Sequence, residues 1–417
     1  LENLGDFQVK GVRAPVQVHR LVGAGAARTR FDVSRSRGLT RFVGRDADMA
    51  TLEAALEQAQ AGHGQVVGVV AEAGTGKSRL CFEFAERCRA RGMTVNEGHA
   101  VAHGKNIPYL PILHVFRGYY AITEQDDDRT VREKIAGRML LLDESFREVL
   151  PVLFEFFGVP DPDRPIPRME PDAKQRQIFA VLRRLVQGGD PRGARSFATL
   201  IEDLHWLDPG SEVFLEQWVD AIAGASSFLL LNFRPEYHAA WMQKSYYRQL
   251  PLAPLGSEAI RKLLEDLLGN DPSTRGLAEA IHTRTGGNPF FTEEVVQTLI
   301  ESEHLQGTRG SYRLVTPINR LAVPASVQAV LAARIDRLPE REKQVLQAAA
   351  VIGKEFTEPI LFAAAALPES EIRAALATLK TNEFIYEQSL YPVAEYTFKH
   401  PLTQEVALGS QLQERRR

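Results

Sequence analysis

The chain has 417 residues, room for two to four domains at ~100–200 residues each. Its 44% hydrophobic and 25% charged residues are the balance of an ordinary soluble globular protein, and no apolar run reaches the ~18 residues that suggest a membrane span. Lys plus Arg total 50 against 53 Asp plus Glu, and the formal charge of −3 excludes a strong attractive field for nucleic acid or an anionic membrane. Cys81 and Cys88, the two cysteines, share one predicted helix, match no metal motif and read as small packed hydrophobes. So few cysteines in a long chain suit a reducing compartment, and a cytoplasmic location is expected. The chain begins at Leu1 instead of a methionine. A native N-terminus and any targeting signal are therefore expected outside the sequence, which reads as part of something longer.

Residues 1–22 alternate: Phe7 and Val9 share a face, a turn falls at 11–14, and Val16 and Val18 share a face again. This predicts a β-hairpin, marginal on its own in water. Residues 23–40 are small, polar and basic, and read as a linker. A loop holding Phe42, Val43, Gly44 and Arg45 then enters a helix with Met49, Leu52 and Leu56 on one stripe.

The next stretch, VVGVVAEAGTGKSRL over 66–80, organises the chain. Val66, Val67, Val69 and Val70 predict a buried strand, a glycine loop follows, and Leu80, Cys81, Phe84, Ala85 and Cys88 recur at helical spacing up to a C-terminal cap at Gly92. Strand, glycine loop and helix are the context of a phosphate-binding loop. Its glycines let successive N–H groups face a β-phosphate, and the helix dipole favours the anion. The expected contacts are Gly74, Thr75, Gly76, Lys77, Ser78 and Arg79, with Lys77 on the β/γ-phosphates and the Ser78 hydroxyl on Mg²⁺. The first glycine of the usual pattern is Ala71 here. The chain is expected to bind a nucleoside triphosphate.

Further along, Met93 to Ala100 predicts a second strand, 130–156 helix, the proline-rich 158–172 a surface loop, and 173–187 a helix with Ile178, Leu182 and Leu185 inward. Phe197 to Ile201 reads as a buried strand that delivers Glu202 and Asp203 at its end. Adjacent acids there form the second half of a P-loop site: Glu202 for Mg²⁺, Asp203 to polarise the attacking water. For His205 and Trp206, packing and a role at the site are equally open. Phe228 to Phe233 predicts another strand, ending at Arg234, which is placed to read a γ-phosphate. Residues 250–310 read as helical. Helices at about 326–337, 340–352, 357–366 and 369–380 precede an alternating hairpin, Phe384 to Phe398, the pattern of a winged helix.

These pieces resemble the STAND class of signal-transduction ATPases, specifically the ATPase module that follows cyclase domains in multidomain bacterial regulators. The residues that carry the resemblance are FVGR at 42–45, AEAGTGKS, LIEDLHWLDP, LLLNFRPEY, TGGNPFF at 285–291, VPASVQAVLAARIDRLP and YTFKHPLTQEVAL, in the family's order over about 40–407. LGDFQVKGVRAPVQVHRL at the start resembles the last strands of class III adenylate and guanylate cyclase domains. Its metal-binding and purine-selecting residues would lie upstream, so no cyclase activity is expected from this chain. The STAND resemblance implies that backbone at Val43 and Gly44 embraces adenine and that Pro289, in the turn Gly287-Asn288-Pro289, packs on the base. It also implies that His400 reaches the β-phosphate of ADP. Glu202 stands where the family commonly has aspartate.

The expected fold class is an α/β P-loop NTPase core with a parallel sheet, a helical lid and a winged helix. Its boundaries are 1–22 cyclase hairpin, 23–40 linker, 41–248 core, 249–320 lid and 321–417 winged helix. The expected function is an ATP/ADP switch with weak Mg²⁺-dependent hydrolysis, set against an efficient stand-alone ATPase and a DNA-binding regulator. On the helix at 369–380, Glu369 and Glu371 balance Arg373 and Lys380, so DNA is not the expected partner. Expected partners are an adenine nucleotide, and other protein copies or proteins reached through flanking domains.

Overall fold

The computed structural model describes residues 2–7, 16–20, 39–100, 108–123, 125–166, 169–188, 197–318, 326–365, 367–389 and 394–414. Val66, Val67, Val69 and Val70 lie in strand β3 (Gln65–Val70) and are buried, as a strand covered on both faces requires. It belongs to a five-stranded sheet with β4 (Val95–His99), β5 (Phe197–Glu202), β6 (Ser227–Phe233) and β7 (Tyr247–Pro251), in the order β4-β5-β6-β3-β7. Every neighbouring pair is parallel.

Side chains alternate between the faces of a strand. Val67, Val69, Leu200, Phe228 and Leu230 pack with α1 (Asp46–Gln60) and α2 (Lys77–Ala90), which contribute Leu52, Leu56, Leu80 and Phe84. Ile201, Leu229, Leu231 and Phe233 face the other way. There they meet α3 (Leu110–Tyr119), α4 (Asp128–Leu142), α5 (Leu150–Phe156), α6 (Pro171–Gly188) and α7 (Pro209–Ile222). Asp208 caps α7 by accepting the Ser211 N–H at 2.9 Å, with Pro209 opening the helix.

The chain forms two compact units, one of residues 42–264 with 286–292, the other of 1–41, 265–285 and 293–417. The expected core boundary at 248 is corrected: β7 runs to Pro251 and pairs with β3. Only Leu250 of that strand is buried, so its sequence offered no alternation to read. Residues 249–264 and 286–292, assigned to a lid by sequence, group with the sheet. The Leu252 N–H donates to Val70 O and the Leu255 N–H to Gly287 O. Helix α8 (Ser257–Leu268) starts in this unit, as does α10 (Pro289–Glu301).

In the other unit, α9 (Leu277–Thr285) matches the expected helical segment, but β8 (Leu305–Gln306) and β9 (Arg313–Leu314) form a small antiparallel pair beyond α10. Then come α11 (Val327–Asp336), α12 (Glu340–Ile352), β10 (Glu355–Thr357), α13 (Glu358–Ala364) and α14 (Glu369–Thr381). After them follow β11 (Ile385–Ser389), β12 (Glu395–Phe398) and α15 (Pro401–Glu414). The last three strands form an antiparallel sheet, β10-β12-β11, over Ile335, Leu346, Phe356, Ile372, Leu376 and Phe398. The N-terminal hairpin pairs β1 (Glu2–Phe7) with β2 (Val16–Arg20), Phe7 opposite Val16. Its turn and most of the linker lie outside the described residues.

Candidate functional site

The sheet order carries β4, β5, β6 and β3 side by side, and their C-terminal ends collect His99, Glu202 with Asp203, Asn232 with Arg234, and the loop after Val70. Carboxyl ends of parallel strands are where open α/β sheets bind ligands. In the loop, Gly74 and Gly76 have φ of +79° and +100°, a region that glycine enters without strain. Ala71, where a glycine was expected, needs no such freedom: it is not among the residues of positive φ, and its methyl packs in the core. Its carbonyl accepts a hydrogen bond from Lys77 Nζ at 2.6 Å, and the Glu72 carbonyl a second at 3.1 Å. Burial lowers the Lys77 pKa; Asp203 opposes this and Arg234 adds to it, so the three charges sense one another. Helix α2 begins at Lys77 with no side-chain cap on its first turn. Its leading N–H groups therefore lack intrahelical acceptors.

A second wall stands against the loop. Asn288 Nδ2 donates to Ala73 O at 3.1 Å, and the Phe290 N–H to Gly74 O at 3.3 Å. A methyl on Gly74 would come 2.9 Å from Asn288 Oδ1, and one on Gly76 would sit 3.9 Å from Pro289 Cγ. Pro289 is thus beside the phosphate loop. From the entry segment, buried Arg45 donates to Thr75 O and to Ala253 O, both at 2.8 Å. Gly44 has φ +69° and lies so close to Ala259 that a side chain would clash. Val43 before it is half-buried. Arg79 pairs with Glu83 at 2.8 Å and lies over the Phe42 ring.

At the acid end, Glu202 is buried and accepts from Asn232 Nδ2 at 2.7 Å through Oε1, while His99 Nδ1 lies 3.0 Å from Oε2. Burial alone would lower the His99 pKa, but the hydrogen bond and charge of Glu202, with Glu97 and Asp203, outweigh it and raise the value. Asp203 has left-handed backbone, φ 59°, and Arg234 lies 5.9 Å from the Trp206 ring centre. Burial pushes His205 down to about 4, and its Nδ1 has no hydrogen-bond partner among the described residues.

Residues 41–231 match the AAA ATPase domain family, and residues 256–306 a family described only as a domain of unknown function. Residues 41–231 are thus similar to the ATPase domains of that family. An uncharacterized protein of Rhizobium meliloti (strain 1021) is 26% identical over 437 residues; the match covers 99% of this chain but only 39% of that protein. Among solved structures, a signal transduction ATPase with numerous domains and a tetratricopeptide repeat sensor, from Pyrococcus horikoshii, is 13% identical. That match covers 88% of this chain and 42% of the other, with a TM-score of 0.46. Drosophila ORC bound to DNA is 12% identical over 95% of this chain and 96% of the other, with a TM-score of 0.39.

The unit of residues 42–264 and 286–292 holds Val43, Gly44, the loop 74–79, Glu202, Asp203, Arg234 and Pro289. His400 belongs to the other unit, where its Nδ1 accepts the Leu402 N–H at 3.2 Å. Sequence reasoning missed His99, Asn232 and the grip of Asn288. A polar residue inside the apolar run LLLNF was the one available signal for Asn232. The donor set suits a nucleotide phosphate: an uncapped helix start, a lysine and a glycine cradle too tight for a methyl at Gly74. Mg²⁺ suits Ser78 and the acids if phosphate oxygens complete its shell. Each Glu202 oxygen keeps a second lone pair for a metal-bound water.

Proposed function

We propose that the chain is an ATP/ADP-binding regulatory switch in which slow Mg²⁺-dependent hydrolysis resets a closed, ADP-bound state. The observation that carries this reading is the pair of hydrogen bonds from Asn288 and Phe290 to the phosphate loop. A turn docked there touches whatever the loop holds, so its position and the bound nucleotide are coupled. In this reading Val43 and Gly44 border the adenine, Pro289 packs on it, and Gly74, Thr75, Gly76, Ser78 and Arg79 give backbone N–H groups to phosphate. Lys77 exchanges the Ala71 and Glu72 carbonyls for phosphate oxygens. Ser78 and Glu202 would hold Mg²⁺, which would supply positive charge against the phosphates. Asp203 takes the proton of the attacking water, and Arg234 faces the γ-phosphate. The C-terminal order helix, strand, helix, helix, strand, strand supports a winged helix acting as a clamp, with His400 its contact to ADP.

A DNA-reading role lacks support from α14: Arg373 pairs with Glu358 and Glu369, and Lys380 with Glu387. The N-terminal hairpin is proposed as the tail of a cyclase domain, and self-association or protein partners are proposed through flanking domains. Mass spectrometry of the purified protein, with steady-state ATP turnover, tests the switch: carried-over ADP and slow turnover are expected. Rapid turnover by the isolated chain without retained nucleotide would instead favour a stand-alone ATPase.

A further inference from the structure

The acid-bearing end of β5 is gripped from both neighbouring strands. Parallel register sets His99 of β4 opposite Glu202, and the pairing of Ile201 with Leu231 brings Asn232 of β6 alongside. Asn232 is fully buried, and its one amide serves both acids. Nδ2 donates to Glu202 Oε1 at 2.7 Å, and Oδ1 accepts the Asp203 N–H at 2.9 Å. Chemistry fixes that orientation, because a carboxylate accepts and a backbone N–H donates. The second bond falls where it is most needed: Asp203 holds φ 59° and ψ 45°, a backbone region that L-residues enter rarely. His99 Nδ1 engages the remaining Glu202 oxygen at 3.0 Å, a donor role open to the ring whether neutral or charged.

We infer that Asn232, opposed by His99, is the positioning residue of this site: it fixes the Glu202 carboxylate for the metal and the strained Asp203 backbone for the water. The inference rests on the ATPase switch reading above. Removing partners that orient metal-site carboxylates typically costs about 10- to 100-fold in metal affinity or activity. Among the described residues neither side chain hydrogen-bonds to the loop 71–79; Asn232 Nδ2 reaches α2 only at Cys81 Sγ, 3.6 Å away and one turn past Lys77.

Calorimetry with ADP, with and without Mg²⁺, on wild type and Asn232→Leu separates the two contributions. The variant is expected to keep its Mg²⁺-free ADP affinity and to lose about 10- to 100-fold in the Mg²⁺ needed for half-maximal effect. Asn232 sits in the sheet centre, so a second pair guards against misfolding. His99→Leu on the edge strand should show the same selective loss, and His99→Asn, which returns a donor at the Nδ1 position, should restore it. Asn232→Leu and His99→Leu proteins that respond to Mg²⁺ as wild type does overturn the positioning role alone. A wild type that binds ADP but ignores Mg²⁺ also overturns it. A wild type that binds no ADP overturns the switch reading and this inference with it.

Discussion

Asn288 does two jobs that one substitution can separate. Its Oδ1 accepts the Phe291 N–H at 3.0 Å and so caps α10, while its Nδ2 donates to Ala73 O on the phosphate loop. Aspartate caps a helix as well as asparagine but cannot donate, so Asn288→Asp keeps the cap and removes the loop contact. Alanine removes both. Losing one hydrogen bond costs about 0.5–1.5 kcal/mol, which predicts ADP binding weakened about 2- to 13-fold in Asn288→Ala. The loss should be greater in Asn288→Asp, whose carboxylate also repels the phosphates. Only alanine adds the cap loss of about 1 kcal/mol, equivalent to about 2–4 °C in Tm for a domain of this size. Calorimetry with ADP beside thermal unfolding reads both quantities. An Asn288→Asp protein with wild-type ADP affinity would refute the coupling between turn and loop.

Three further outcomes follow from the proposed function. Lys77→Ala should abolish ATP binding with an unchanged circular dichroism spectrum, since the hydrogen bonds it loses run only to the adjacent loop carbonyls; measurable wild-type affinity contradicts the site. Asp203→Asn should bind nucleotide but lose hydrolysis, because asparagine tolerates left-handed backbone yet cannot take the water's proton. Turnover at the wild-type rate moves the catalytic acid to Glu202. His400→Ala should weaken ADP about 10- to 100-fold, the worth of a hydrogen bond to a charged group at about 1.5–3 kcal/mol, and affect ATP less. Nδ1 accepts the Leu402 N–H, which leaves the neutral ring's proton on Nε2, the donor a phosphate requires. Equal ADP affinity in calorimetry leaves His400 as a residue that opens α15.

Much of the ATPase core was legible because a parallel sheet buried on both faces writes its strands as continuous apolar runs, as in Val66–Val70 and Phe228–Phe233. Glycines and Lys77 marked the loop by chemistry alone. β7 escaped because an edge strand with one inward residue has no period, and three-residue β10 is too short to show one. The partners of Glu202 were illegible for a different reason. His99, Glu202 and Asn232 are far apart in the chain and meet only because β4, β5 and β6 are neighbours, an order that periodicity does not encode. Asn288 was visible as a turn residue, but which face of the turn met the loop was not.

Arg334 shows the same limit in the other unit, and its removal has a calculable cost. Arginine is mostly exposed in folded proteins, yet this one is 2% exposed. Its guanidinium contacts Glu294, pairs with Glu301 at 2.6 Å, donates to Asn382 O at 2.7 Å and lies 4.6 Å from the Phe384 ring centre. Lys399, next to His400, completes the cluster at 3.0 Å from Glu294 and 2.8 Å from Glu383. Glu294 and Glu301 both project from α10, the helix that Asn288 caps, so these charges bolt its C-terminal part to α11 and to the end of β12. Arg334→Met leaves Glu294, itself fully buried, with Lys399 as its remaining cation, and breaking a buried pair from one side costs about 3–5 kcal/mol. Removing Glu294 as well is cheaper, because no fully buried ion is then left uncompensated. Lys399 keeps Glu383, and Glu301, which loses Arg334, is partly exposed. Hydrogen exchange across α11 and α12 should therefore accelerate strongly in Arg334→Met and recover in Arg334→Met/Glu294→Met. Exchange in the single variant matching wild type would mean that the cluster does not hold this unit together, and that α10 is anchored by its apolar face alone.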